Sequence, residues 1–196
     1  MGLGATEAQR ALIVGSDAFK TMASPAKDTV IIDGPCACRK YMTRTLSATA
    51  VVRMALRSVR SAVKLAEGEP LSIAVLFDRA EFMPPQRGAV AASRRSDAAA
   101  ADVDVGVYNL EQRSPGHLTQ LVPWDAVLSA GGVFKRSAWR IMAEAWYQEV
   151  VRSKLFSSIL IVGPDFEFCV GPTFASVAVP DFGEADLCVA FVAMEA

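Results

Sequence analysis

The chain has 196 residues, a mass of 20.9 kDa and 52% hydrophobic residues, which is enough apolar material for the core of one compact domain. Its net charge of −1 argues against indiscriminate binding of nucleic acid, but the charge is unevenly divided. Residues 1–96 carry 14 basic and 8 acidic side chains, whereas residues 97–196 carry 6 and 13. This polarity permits one phosphate-facing side on a nearly neutral molecule. The alternative is that the imbalance is only solvated surface.

The four cysteines, Cys36, Cys38, Cys169 and Cys188, do not have the spacing of a zinc site, and the chain is too large and cysteine-poor for a disulfide scaffold. We therefore interpret them as reduced apolar residues of an intracellular protein, without resolving nucleus, cytoplasm or organelle. No apolar run approaches the length of a membrane span, and the N-terminus lacks the features of a secretory signal.

Two short apolar runs each end in an aspartate. The first, Val30–Ile32, is followed by Asp33 and then by Gly34 and Pro35, which are turn signals. The second is an uncharged run that ends at Phe77 and leads directly to Asp78, as expected of a buried parallel strand with an acid at its carboxyl end. Taken alone, Asp33 is also explained as an acid that caps a turn.

Between these runs the sequence predicts a long helix over residues 43–66. Its basic residues, Arg53, Arg57, Arg60 and Lys64, follow steps of four, three and four and so form one stripe, the basic stripe. No Asp or Glu occurs from Gly34 to Ala66. A solvated helix face normally mixes charges, because like charges at i, i+4 repel, so the stripe favours a polyanionic partner.

Strand, helix and strand make a βαβ unit, which sets both strands parallel and brings Asp33 and Asp78 to the same edge of the sheet. Such a carboxylate pair favours a divalent cation, since uncompensated like charges repel. After Asp78 the chain turns at Pro84-Pro85 and continues with three arginines, Arg87, Arg94 and Arg95. An acid followed by bases at this distance suits a metal-bound phosphate, which the arginines would clamp.

The middle of the chain carries less information. Residues 97–122 predict a loop, and His117, the single histidine, predicts a surface rather than a catalytic role. A short helix follows from Pro123-Trp124 to Ser129, and Ser137 predicts the cap of another helix that runs to about Arg152. The aromatic residues of this second helix favour core packing over base stacking; they are Trp139, Trp146 and Tyr147. Ser158–Val162 predicts a third strand, and residues 174–179 a fourth.

Some of these segments resemble the flap endonuclease/XPG class of structure-specific 5′ nucleases. The similar motifs are Phe77-Asp78, Pro84-Pro85-Gln86-Arg87-Gly88, the arginines of Ala92–Ser96, and the stretch Val179–Ala190, which is similar to the family's Pro-x-x-Glu-Ala-Glu/Asp motif at the start of a helix. The resemblance implies that Asp33, Asp78, Glu184 and Asp186 hold one or two Mg²⁺ or Mn²⁺ ions. Taken alone, Glu184 and Asp186 are also explained as acids that complement a helix dipole.

The resemblance leaves the middle of the chain unmatched. In the family that region forms an arch, often rich in Lys and Arg, whereas Arg113 is the single basic residue between Ser96 and Lys135 here. The family also has a further aspartate cluster after the Glu-Ala-Asp helix, and the sequence ends at Ala196 before that cluster. The expectation is one domain over residues 1–196. Either its metal site is completed by fewer ligands or by another segment, or the sequence is a fragment truncated at its C-terminus or a reduced, inactive descendant.

The resulting hypothesis is a three-layer α/β, PIN/5′-nuclease-like domain with a mainly parallel sheet between helices. Its expected activity is metal-dependent hydrolysis of phosphodiester bonds in DNA or RNA, with the basic stripe on the flanking backbone. The first alternative is a catalytically inactive PIN-like protein that binds nucleic acid or a protein partner in a larger assembly. The second is an enzyme of small phosphorylated metabolites, which the absence of a Gly-rich phosphate loop after either early strand disfavours.

Overall fold

A computed structural model of the chain describes residues 29–64, 72–78, 108, 110, 116–130, 132–180 and 185–195. In chain order they form β1 (Thr29–Asp33), α1 (Gly34–Arg39), β2 (Thr45–Leu46), α2 (Ala48–Lys64), β3 (Ser72–Leu76), β4 (Val122–Pro123), α3 (Trp124–Ala130), α4 (Gly132–Ser153), β5 (Ser158–Val162), β6 (Glu167–Val170) and α5 (Ala185–Glu195). The expectations for residues 79–107, including the arginine-rich turn, lie outside the described residues.

The main sheet has the strand order β1-β3-β5-β6. β1, β3 and β5 are parallel, and β6 pairs antiparallel with β5. In this register Asp33 lies beside Leu76, which in turn lies beside Val162, so the carboxyl ends of the three parallel strands are level. The prediction of a mixed α/β fold with a mostly parallel sheet and flanking helices is confirmed, as is the βαβ unit.

Both faces of the sheet are covered, because successive side chains of a strand point to opposite sides. In β3, Ile73 and Val75 belong to a core that includes buried residues of α2, α3 and α4, whereas Ala74 and Leu76 belong to a second core with Cys188 of α5. A strand buried on both faces needs an apolar residue at nearly every position. Burial on both faces therefore explains the continuous apolar run from which β3 was predicted.

The long basic helix begins later than the sequence predicted. Residues 45 and 46 form β2, which pairs antiparallel with β4, and α2 starts only at Ala48. The Ser47 hydroxyl accepts a hydrogen bond from the backbone N–H of Ala50 at 3.2 Å, which is the function of an N-cap. Trp124 Nε1 donates to the Leu46 carbonyl at 2.8 Å and so ties β2 to the start of α3.

Two further boundaries were predicted wrongly. α4 begins at Gly132, so Ser137 is a buried residue inside the helix and not its cap. The strand after β5 is β6, at residues 167–170, whereas residues 173–176 form a turn and residues 177–180 an irregular segment. Phe174 and Val179 are apolar because they cover the second face of the sheet. An apolar run does not by itself distinguish such a covering segment from a strand.

Candidate functional site

The carboxyl edge of the parallel sheet carries an aspartate after each of its three parallel strands. Asp33 is the last residue of β1 and lies beside Leu76 of β3; Asp78 follows Leu76 by two residues in the chain. Asp165 follows β5. The structure therefore brings Asp33 and Asp78 to one edge. Asp165 was not among the candidate site residues, although its signal was in the sequence. Like Asp33, it comes after an apolar run and beside Gly and Pro.

Asp33 has a structural role at the start of α1. Its Oδ1 accepts a hydrogen bond from the backbone N–H of Cys36 at 2.8 Å, which makes it the N-cap of this helix. Burial raises the pKa of the Cys38 thiol to about 12; the hydrogen bond from Trp146 opposes this shift, and the negative charge of Asp33 adds to it. The interpretation of Asp33 as a turn cap is thus confirmed, while a role in metal binding stays a prediction.

Asp78 connects three segments that are distant in the chain. Its Oδ1 accepts from the backbone N–H of Ala185 at 3.1 Å, and its Oδ2 lies 3.6 Å from Lys135 Nζ. The side chain is 20% exposed, so solvent reaches it at one side. Ala185 is the first residue of α5 and stands between Glu184 and Asp186. The contact therefore brings the backbone of this acidic segment to the carboxylate of Asp78.

Two cations near the start of α4 face this edge, and neither is among the site residues predicted from the sequence. Lys135 pairs with Asp78, and Arg136 pairs with Asp165, whose Oδ1 lies 3.1 Å from Arg136 Nε. Neither pairing is predictable from local pattern, since each joins residues separated by tens of positions. At this edge, then, acidic groups from strand ends pair with basic groups from the start of a helix.

The predicted metal site is only partly within the structure. Glu184 and the side chain of Asp186 lie outside the described residues, as do the predicted phosphate clamps Arg87, Arg94 and Arg95. Among the residues that are described, no group of three His, Cys, Asp or Glu side chains is close enough to hold a metal ion. The two described acids fit a hard cation in chemistry, because Mg²⁺ and Mn²⁺ take carboxylate oxygens. Lys135 would have to leave Asp78 for such an ion.

The basic stripe lies on the exposed side of α2. Arg53, Arg57 and Arg60 are exposed, while Val52 and Leu56 on the other side are buried; the side chain of Lys64 lies outside the described residues. Arg53 is not free. Its Nε and Nη2 donate to the two carboxylate oxygens of Glu149 in α4 at 2.9 and 3.2 Å. These hydrogen bonds, and then the charge of Glu149, raise the pKa of Arg53.

A groove of about 860 Å³ lies between α2 and α4, and we call it the basic groove. Its lining comes from the first half of α2, the turn at residues 116–119 and the last part of α4; the polar members are Ser47, Thr49, Arg53, Arg57, His117, Thr119, Gln148 and Arg152. His117 is half-buried, and its Nε2 lies 2.7 Å from a carboxylate oxygen of Glu144. The histidine is therefore held against α4 by this contact rather than lying in a freely exposed loop.

The aromatic residues of α4 are part of the core, as predicted. Trp139 and Trp146 are 1% and 0% exposed, and the Tyr147 ring packs edge-on against Phe168 with the ring centroids 4.2 Å apart. The two buried tryptophans present no open ring face to a base, whereas Tyr147 is half-buried at the margin of the core. None of the four cysteines forms a disulfide, as expected of reduced residues; Cys38 and Cys188 are buried, whereas Cys36 and Cys169 are exposed.

Comparison with protein-family models, curated proteins and solved structures finds no match for this chain. Function must therefore be inferred from its residues. None of the helices in the described part of the chain combines the length and the apolar character that crossing a membrane requires.

Proposed function

We propose that the chain is a divalent-metal-dependent nuclease with a PIN/5′-nuclease-like fold that hydrolyses phosphodiester bonds in DNA or RNA. The observation that supports this most directly is the hydrogen bond from the Ala185 N–H to Asp78 at 3.1 Å. It joins the end of β3 to the segment with Glu184 and Asp186, at the edge where Asp33 ends β1. Ala185 stands between Glu184 and Asp186 in the sequence, and the proposal is that these two acids join Asp33 and Asp78 at this edge, where open α/β sheets hold their ligands.

In this proposal Asp33, Asp78, Glu184 and Asp186 hold one or two Mg²⁺ or Mn²⁺ ions. A bound ion of this kind lowers the pKa of the attacking water and neutralises charge on the leaving oxygen. Arg87, with Arg94 or Arg95, clamps the scissile phosphate through charge-assisted hydrogen bonds. Lys135 contacts Asp78 when the site is empty of substrate and turns to a phosphate oxygen when a strand enters.

The test is incubation of the protein with labelled flap, nicked and single-stranded DNA and RNA in the presence of Mn²⁺. Asp78→Asn is expected to lower the cleavage rate by about a hundredfold or more, since it removes a charged ligand. Asp125→Asn is the matched control, because Asp125 is an exposed acid in the first turn of α3, outside the sheet edge. Equal cleavage by Asp78→Asn and the parent protein would reject the site.

One observation favours a second function, the binding of nucleic acid without catalysis. Both described acids of the proposed metal set already have protein partners, since Asp33 caps α1 and Asp78 contacts Lys135 and Ala185. An edge neutralised in this way needs no metal for its stability. This alternative predicts that labelled strands bind but remain uncut and that Mn²⁺ does not raise the unfolding temperature, whereas the nuclease proposal predicts cleavage and a Mn²⁺-dependent rise.

A further inference from the structure

The basic groove is separate from the sheet edge. Its lining shares no residue with Asp33, Asp78, Lys135 or the acidic start of α5. Its volume of about 860 Å³ is within the range of about 300–1,000 Å³ that pockets for small ligands occupy. Most of its lining side chains are polar or cationic, and the apolar ones include Leu46, Met54 and Leu118. Such a lining suits a ligand with charged groups and some apolar surface.

The charges of the groove do not cancel. Arg53, Arg57 and Arg152 line it, and the acid that contacts this group is Glu149, whose side chain is 9% exposed. Glu149 accepts from Arg53 and also from Arg152 Nη1 at 2.7 Å. Two of these three guanidinium groups share one carboxylate, and Arg57 does not contact it. The groove therefore has an excess of positive charge along its walls, which attracts an anion.

The arginines have two different roles. Glu149, which is largely buried, forms ion pairs with Arg53 and Arg152. The side chains of these arginines remain 53% and 60% exposed, so each keeps N–H groups available to a ligand. Holding them in advance reduces the side-chain entropy that binding has to remove. Arg57 is exposed and makes no ion pair or hydrogen bond with any residue that the structure describes. Its guanidinium is the group of the three whose charge is least compensated.

The shape of the positive surface indicates what kind of anion it binds. Arg60 follows Arg57 on the exposed side of α2 but lies beyond the lining of the groove. Cationic groups thus continue along the helix past the end of the cavity, with no acid in residues 34–66 to interrupt them. A single phosphate would use one end of this surface, whereas a strand with a charge at every nucleotide would use all of it.

We infer that the basic groove binds phosphate groups of a polynucleotide strand through Arg57 and Arg152, at a surface separate from the sheet edge. The class of ligand rests on the proposed function, since a nuclease must hold the strand on either side of the bond that it cuts. Glu149 is a positioning residue of this surface. The hydroxyl groups of Thr49 and Thr119, which also line the groove, donate to the backbone carbonyls of Leu118 and Gly116, so the contacts to phosphate come from the arginines.

The test measures binding in EDTA, so that neither metal nor cleavage contributes. The affinity for a short labelled single strand is read from fluorescence anisotropy at several salt concentrations. Arg57→Gln and Arg152→Gln are each expected to weaken binding about tenfold and to lower the slope of log K against log[salt] by about 0.7, the value for one lost phosphate contact. Arg39→Gln is the matched control, because Arg39 is exposed in α1 and does not line the groove.

Two further measurements show whether the groove prefers a strand to a small phosphate, and whether a loss of affinity comes from charge or from hydrogen-bond geometry. Unlabelled strand is expected to displace the labelled strand at far lower phosphate concentration than AMP or inorganic phosphate does; equal displacement would overturn the inference of a strand. Arg57→Lys/Arg152→Lys keeps both charges, so it should retain the salt slope but lose part of the affinity. Full retention of parental binding by Arg57→Gln/Arg152→Gln would overturn the groove itself, and unfolding temperatures check that each variant is folded.

The outcomes also distinguish this inference from the proposed function. Cleavage by the parent, together with parental strand binding by Arg57→Gln/Arg152→Gln, would support the nuclease proposal and reject the groove as a binding site. Strand binding that depends on Arg57 and Arg152, without cleavage of any substrate, would support the groove as a binding site and reject the nuclease proposal. Asp125→Asn is expected to bind the strand like the parent in EDTA, because Asp125 is exposed in α3 and does not line the groove.

Discussion

Replacement of Gly34 by alanine tests how tightly the sheet edge is packed. A Cβ at this buried position would lie 2.6 Å from both Cε2 and Cζ of Phe77, whereas carbon atoms in contact are about 3.5–4.0 Å apart. The ring has to move by about 1 Å, but Phe77 is fully buried and packs against Trp139 with the ring centroids 6.1 Å apart. Overpacking of this kind costs about 1–3 kcal/mol.

A smaller effect of the same substitution opposes this cost. Alanine restricts the unfolded chain more than glycine does, which is worth about 0.4–1 kcal/mol. The expected net loss in the free energy of unfolding is therefore about 1–2 kcal/mol. With a urea slope of about 2 kcal/mol per molar, the midpoint of unfolding should fall by about 0.5–1 M without a change in slope. Because Gly34 follows Asp33 and Phe77 precedes Asp78, the same shift should also reduce metal-dependent cleavage.

A second substitution decides whether the clash is the cause. Phe77→Leu removes the ring atoms that the new Cβ would meet, so Gly34→Ala should cost less in the Phe77→Leu background than in the parent. The coupling energy of this double-mutant cycle is expected to be about 1 kcal/mol. Strict additivity of the two substitutions, or a neutral Gly34→Ala, would refute the proposed contact at the sheet edge.

Three other substitutions test the core and its surroundings. Gly171→Ala should strongly destabilise the protein, because Gly171 has φ +87° and an added Cβ would collide with the carbonyl oxygen of Ser157; urea unfolding measures the loss. Burial raises the pKa of Cys38 from 9.0 to about 12. The stability that the neutral Cys38 thiol contributes below pH 9.0 is therefore lost as the pH rises towards 12. Unfolding free energies measured on either side of pH 9.0 should depend less on pH in Cys38→Ala than in the parent. Trp124→Phe should cost about 1 kcal/mol more than Trp139→Phe, because the Trp124 indole donates to a carbonyl of β2 whereas that of Trp139 has no acceptor among the described residues.

The three parallel strands of the main sheet were predictable because each contains a short apolar run. β3 and β5 are buried at every residue, β1 is an apolar run that ends in Asp33, and their parallel pairing follows from the helices that connect them. The same reasoning predicted that Asp33 and Asp78 leave the sheet at one edge. It did not predict β2 and β4, whose two residues each are too few to show a period.

The contacts that give the site its charge balance were not predictable from local pattern. Lys135 lies in the first turn of α4 because this helix begins at Gly132, whereas the sequence predicted a helix that begins only at Ser137. Glu149 is a charged residue of α4, a type that is usually exposed on a helix, yet it is buried and paired with two arginines, one of them from α2. Pairings between distant helices carry no signature in either helix alone.

The double role of Asp78 determines which substitution can test the metal site. Its Oδ1 holds the start of α5 through the Ala185 N–H, and its Oδ2 faces Lys135. Alanine at this position would remove both interactions and displace the acidic segment, so a loss of cleavage would not separate a missing ligand from a misplaced one. Asparagine keeps an oxygen that accepts from Ala185 and removes only the charge. Loss of cleavage in Asp78→Asn at an unchanged unfolding temperature would therefore report the charge that a divalent cation requires.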